Sequence, residues 1–191
     1  MSLLIIGLLL FFATHAISIV NVSWRDRVAA RIGTLTWQGL YSLAAMAGLL
    51  LIIWGYSLAR QDPVVLYLPP VWLRHGAMLL LIFVFPLLLA TYLPGRIQTA
   101  TKHPMLVATK LWALAHLLAN GNLADVLLFG SFLVWAVVDR ISLKRRTPPQ
   151  VPALPSSRIN DVLVIVLGLA LYVAFVFRGH EWLIGVALLG T

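Results

Sequence analysis

The chain contains no cysteine. That excludes disulfides, Cys-ligated zinc, iron–sulfur clusters and thiol catalysis, and it leaves histidine, carboxylate, methionine or backbone oxygen to hold any metal. Charge is scarce as well: Asp, Glu, Lys and Arg together make up 10% of the 191 residues, against about 25% in a soluble domain. Only six residues are acidic, and none sits in mid-span, which gives a proton-coupled transporter little to work with. There is no carboxylate pair of the glycosidase kind, no glycine-rich phosphate loop, no HExxH and no GxSxG. What is present is apolar. Hydrophobic residues amount to 61% and the mean hydropathy is +0.97, which excludes a disordered chain, a collagen-like fibre and an ordinary soluble enzyme. The expected fold is an all-α, polytopic transmembrane bundle, with the lipid bilayer as its main partner. A net charge of +8 in such a chain belongs to cytoplasmic loops facing anionic lipid, and nucleic acid is not an expected partner.

The hydropathy pattern predicts about six spans in one membrane domain covering residues 1–191. They run from Ser2 to Val20, Leu35 to Ala59, Trp72 to Leu93, Pro104 to Ala119, Leu123 to Val138 and Asp161 to Phe177. The first begins at the initiator Met without a basic leader and reads as a retained span. Pro86 near the middle of the third should kink it, because proline has no N–H to donate. The fourth is short, about 24 Å at 1.5 Å per residue against a hydrocarbon core of about 30 Å, and carries Thr109, Lys110 and His116. It is expected inside the bundle. Residues Asn120 to Asn122 then make a tight turn into the fifth span. Thr147 to Ser157 reads as a flexible linker, and Trp182 to Leu189 as an apolar tail too short to cross.

Positive charge sets the expected orientation. Arg25, Arg27, Arg31, Arg96, Lys102, Arg140, Lys144, Arg145, Arg146 and Arg158 fall in the odd-numbered loops, whereas Arg60, Arg74 and Arg178 fall on the other side. The odd loops are therefore expected in the cytoplasm, and both termini outside or in the periplasm.

In a cysteine-free chain the five histidines, His15, His75, His103, His116 and His180, are the natural metal or haem ligands. His15 lies within the first span, with Phe11, Phe12 and Ser18 on its face; the plainer account is a hydrogen-bonded core histidine. Thr109, Trp112, His116 and Asn120 fall at i−7, i−4, i and i+4 and make one polar and aromatic stripe, either a cavity wall or an interhelical hydrogen-bond seam. His103 and His116 cannot meet on one helix: thirteen residues separate them by about 140° around the axis and about 19.5 Å along it. His103, just before Pro104, suits a cap. His75 beside Trp72 and Arg74 suits the interface, with a reserve role as a ligand. His15 and His116 share a site only if a haem is tilted or the helices are shifted in depth. Asp125 and Asp161 suit helix N-termini, and Asp139 with Arg140 an interfacial pair.

The segment from His103 to Asn120, HPMLVATKLWALAHLLAN, followed by GNLADVLLFGSFLVWAV, resembles the NnrU family. The shared pattern is His103–Pro104, Trp112, Ala115–His116 and Asn120–Gly121, with His15 and Ser18 of the first span also similar and the span layout matching over nearly the whole chain. NnrU proteins are bacterial membrane proteins linked to denitrification and nitric oxide metabolism, and are related to the zeta-carotene isomerase of plants and cyanobacteria. The resemblance implies a haem b site whose metal ligands are His15 and His116, with His75 and His103 in reserve. Trp112 would pack on the porphyrin, and Thr109 and Asn120 would serve as supporting donors. The implied role is redox, sensing or gas handling, with nitric oxide or a hydrophobic small molecule as partner. One alternative is a haem-dependent cis–trans isomerase of a polyene. The other is an assembly or transport component without a cofactor. The isomerase branch has a cysteine three residues before its second histidine; here that position is Ala113, so the redox-linked ligand switch of that branch has no counterpart.

Overall fold

A computed structural model describes residues 1–147 and 151–188. Residues 148–150 of the expected linker and Leu189 of the expected tail lie outside the described residues. Helix takes up 78% of the described residues and no strand occurs among them, so the class is all-α. The elements are α1 (Ser2–Val20), α2 (Val22–Ile32), α3 (Thr34–Ala59), α4 (Val71–Leu81), α5 (Val84–Tyr92), α6 (Arg96–Thr101), α7 (Pro104–Ala119), α8 (Leu123–Ser142), α9 (Arg158–Ala174) and α10 (His180–Ile184), with a π-helical turn, Phe175–Gly179, joining the last two.

Four helical stretches are long and apolar enough to cross a bilayer: Ser2–Val20, Thr34–Ala59, Val71–Tyr92 and Arg158–Ile184. Only 11% to 22% of each is buried against protein, so their Leu, Ile, Val and Trp side chains need a hydrocarbon solvent. By length and composition these four correspond to the first, second, third and sixth of the expected spans. Helix α7, at 16 residues, is short, and α8 carries Asp125, Asp139 and Arg140 within its 20 residues. The sixth expected span is also longer than its pattern suggested: the helix passes Phe177 through the π turn and ends at Ile184, before the left-handed Gly185.

The described chain forms two compact units, each discontinuous in sequence: residues 1–69 with 120–147, and residues 70–119 with 151–188.

In the first unit, α1 and α3 are the main contact pair, and α8 joins them. Three glycines set the α1–α3 approach. A Cβ at Gly7 would lie 2.6 Å from the Ile52 nitrogen, one at Gly48 would lie 2.8 Å from the Phe11 nitrogen, and one at Gly55 would strike Leu4. The pairings 4 with 55, 7 with 52 and 11 with 48 run in opposite senses, so the helices are antiparallel. Helix α8 runs parallel to α1, as the ring pairs Phe11–Phe132 and His15–Trp135 show. Helix α2 lies where a loop was expected. Asn21 caps it by accepting from the Trp24 N–H at 2.9 Å, and Trp24 meets Trp37 edge-on at 6.0 Å. With Arg25, Arg27 and Arg31 on one short amphipathic helix, it has the make-up of an interfacial element. Val64 to Tyr67 pairs with the α7–α8 connection: Leu66 and Tyr67 N–H groups donate to the Gly121 carbonyl, and Leu123 N–H donates to Val64.

In the second unit, α7 packs against both α4 and α5, and α5 packs against α9. Val84, Leu87 and Ala108 centre the core, with Leu111 and Trp112 against it. The expected kink is a break: α4 stops at Leu81 and α5 starts at Val84, because Pro86 cannot donate to the Ile82 carbonyl four residues back. Gly168 of α9 fits against Pro86, where a Cβ would come within 2.6 Å. The third expected loop contains α6, whose first N–H groups, Arg96 and Ile97, both donate to the Asp161 carboxylate at 3.0 Å. Asn160 donates to the carbonyls of Pro94 (2.9 Å) and Pro155 (3.0 Å), and Leu154 N–H to that of Tyr92 (2.9 Å). The segment 154–157, expected to be flexible, is thus hydrogen-bonded to residues 92–94.

Candidate functional site

His15 is half-buried in the first unit at a meeting of three helices. Its Nδ1 lies 2.8 Å from the Phe11 carbonyl oxygen. A carbonyl only accepts, so Nδ1 carries the proton and the lone pair of the neutral ring sits on Nε2. Phe11 stacks on the imidazole at 4.0 Å and 24°, Tyr41 of α3 lies 5.4 Å away, and Trp135 of α8 meets the ring edge-on at 5.7 Å. Phe132 packs on Phe11 and Phe12 at 5.4 and 5.0 Å. The Trp135 Nε1–H is buried and has no hydrogen-bond partner among the described residues. An orphaned donor of that kind, beside a histidine with its lone pair set on Nε2, is where a polar or metal-bearing group would fit. Phe11 was legible as an i−4 neighbour. Tyr41, Phe132 and Trp135 were not, since they arrive from helices whose pairing the local pattern does not specify.

His116 is half-buried on the last turn of α7, in the second unit. Its Nδ1 donates to the Trp112 carbonyl at 2.8 Å, so it has the same tautomer as His15. Trp112 lies 5.3 Å from its ring and also packs on the Val84–Leu87–Ala108 core. Thr109 donates to the Met105 carbonyl at 2.9 Å. Helix α7 ends at Ala119, so Asn120, read as the end of the same stripe, lies one residue beyond it; its carbonyl accepts from the Tyr67 hydroxyl at 2.8 Å. His103 is at the other end of α7, where its carbonyl accepts from Leu106 and Val107 N–H as a cap does. His75 is exposed on α4. His180 donates from Nδ1 to the Val186 carbonyl at 2.7 Å. No cluster of three or more His, Asp or Glu suited to a metal occurs among the described residues.

Asp125 stands at a helix N-terminus as expected, whereas Asp139 does not make the pair expected with Arg140. Asp125 closes a capping box with Asn122 at the start of α8, and its Oδ1 also accepts from the Tyr56 hydroxyl of α3 at 2.5 Å. Asp139 pairs with Arg146, not with Arg140, and Arg146 also donates to Ser142 at 3.0 Å.

Neither the curated proteins nor the solved structures include a match to this chain. The family model described as NnrU protein matches residues 3–188, nearly the full length, and the chain belongs to the NnrU family.

Proposed function

We propose that this NnrU-family chain is a haem b-binding membrane protein of nitric oxide and nitrogen-oxide metabolism, with a redox, sensing or gas-handling role. One observation supports it most: His15 has its Nδ1 committed to Phe11 and its lone pair on Nε2, within aromatic surroundings that include an unused Trp135 N–H. His116, in the second unit, has the same tautomer through Trp112 and is the second ligating histidine of this reading. When bound, haem supplies a one-electron couple and an iron centre for a diatomic gas.

The chain's own part is positional. The Phe11 carbonyl fixes the His15 tautomer, and stacking by Phe11 holds the ring plane. Tyr41 and Trp135 flank the imidazole, Phe132 backs Phe11, and Trp135 offers a donor to a polar edge. Trp112 buttresses His116 from the core of its unit.

The test is the absorbance spectrum of the detergent-purified chain, expressed with ample haem, before and after dithionite. A Soret band with sharp reduced α and β bands is expected, lost or shifted in His15→Ala and in His116→Ala. A second reading, a bundle without cofactor, is favoured by the same i to i−4 bonds, which satisfy the N–H of each imidazole inside its own helix. Folded, monodisperse protein with no visible absorbance would select it. Product analysis in carotenoid-producing cells tests the isomerase alternative.

A further inference from the structure

A groove lies between α1 and α8 on the first unit. Its apolar part is a shallow, open recess of about 540 Å³ lined by Phe12, Ala16, Gly130 and Val134 among others. Gly130 leaves real space: a Cβ there would meet nothing within 4 Å. A second recess of about 350 Å³ continues it, since both are lined by Ile19, Val20 and Val138. The second recess adds Ser18, Ser142, Arg145 and Arg146.

The groove therefore changes character along its length. From Val126 to Val138 the α8 side covers about 18 Å at 1.5 Å per residue, close to one leaflet's share of a hydrocarbon core of about 30 Å. Hydroxyls follow, then guanidinium groups. Arg145 is exposed, and no carboxylate pairs with it among the described residues. Arg146 uses part of its fork on Asp139 and Ser142 and has further N–H groups to give. Arg140 and Lys144 add positive charge on the same stretch. A free anion has no use for three apolar turns, and an apolar ligand has none for two arginines. An acyl chain, an ester-bearing glycerol and a phosphate match the sequence of surfaces in order.

We propose that this groove binds one anionic phospholipid, its acyl chain along Ala16, Gly130 and Val134 and its phosphate at Ser18, Ser142, Arg145 and Arg146. Phe12 and Trp135 line both this groove and the surroundings of His15, but none of the residues assigned to the lipid is a ligand in the haem reading.

The experiment is native mass spectrometry of the full chain in detergent, titrated with phosphatidylglycerol, phosphatidylcholine or inorganic phosphate. One phosphatidylglycerol per chain is expected, in clear preference to phosphatidylcholine, with the preference weakening as salt rises. Arg145→Gln removes one basic contact and should weaken phosphatidylglycerol about five-fold. Gly130→Phe fills the track and should weaken both lipids on the order of tenfold. Arg145 is an exposed position, so its variant decides the matter even if Gly130→Phe does not fold. Equal binding of the two lipids overturns the proposal, as does unchanged affinity in Arg145→Gln. Displacement by inorganic phosphate at matching concentration would make it a bare anion site. A dimer free of lipid would make it an interface between two copies of this chain.

Discussion

Asp125 is 2% exposed, and both its oxygens are engaged, one by Tyr56 and one by the Asn122 N–H. Tyr56→Phe leaves that carboxylate short of a donor, and a loss of about 1–3 kcal/mol is expected, read as a lower unfolding temperature in detergent. Arg146 is bound to a carboxylate that is 8% exposed. Removing the arginine alone should cost roughly 3–5 kcal/mol, whereas Asp139→Asn combined with Arg146→Gln should cost much less, because no charge is then left stranded. Tyr67, in the loop after α3, is held above its ordinary 10.0 by lost hydration first and by the charge of Asp125 second. A pKa raised by folding means that the stability it carries is whole below the unfolded value and is lost as pH climbs through the folded one. The unfolding temperature should fall as pH passes about 10, and Tyr67→Phe should flatten that fall. Identical slopes in the two proteins would remove Tyr67 from the account. Residue identity alone misjudged Asp139 because Arg140 is its neighbour in sequence; adjacent residues on a helix point about 100° apart, and the partner is Arg146, seven residues on in the turns that continue after Ser142.

At the scale of elements, the glycine seam between α1 and α3 is the most exposed to test. Gly55→Leu forces a side chain into the Leu4 backbone, and a cost of about 1–3 kcal/mol or loss of folded protein is expected; Gly39→Ala inside the same helix, where a Cβ meets nothing within 4 Å, should cost nothing and stabilise by up to about 1 kcal/mol. The six apolar runs each became helix, because a long run without polar relief has no other way to satisfy its backbone in lipid. What escaped notice were the short helices. Helix α2 is amphipathic and rich in arginine, so a hydropathy window sees a loop, and α6 is only six residues, with its first N–H groups capped by a carboxylate from α9. The seam escaped too, since Gly7, Gly48 and Gly55 acquire meaning only once the two helices are paired. The same holds for the candidate site: His15 and its tautomer-fixing Phe11 carbonyl are four residues apart and legible, while Tyr41 and Trp135 come from helices that local periodicity does not join.

At the scale of the whole molecule, the first unit gathers seven of its eight Lys and Arg residues at one end, with Arg60 at the opposite end of α3. The end of α1, all of α2, the start of α3 and the end of α8 bring Arg25, Arg27, Arg31, Arg140, Lys144, Arg145 and Arg146 together there. The expected orientation puts that end in the cytoplasm. The cysteine-free background makes this checkable: Arg31→Cys and Lys144→Cys should react with a membrane-impermeant maleimide only in inside-out vesicles, and Asp62→Cys only in intact spheroplasts. The opposite pattern would invert the topology. The interrupted course of the first unit also has a consequence in time. The ribosome completes α1 and α3 early, yet α8 belongs to the same unit and follows only after α4 to α7 have been made. Between Tyr41 and Trp135 lie roughly ninety residues, or about 5–20 s of synthesis. Throughout that interval the imidazole of His15 faces an open flank, and a bulky guest can enter sideways from the bilayer before the last wall arrives.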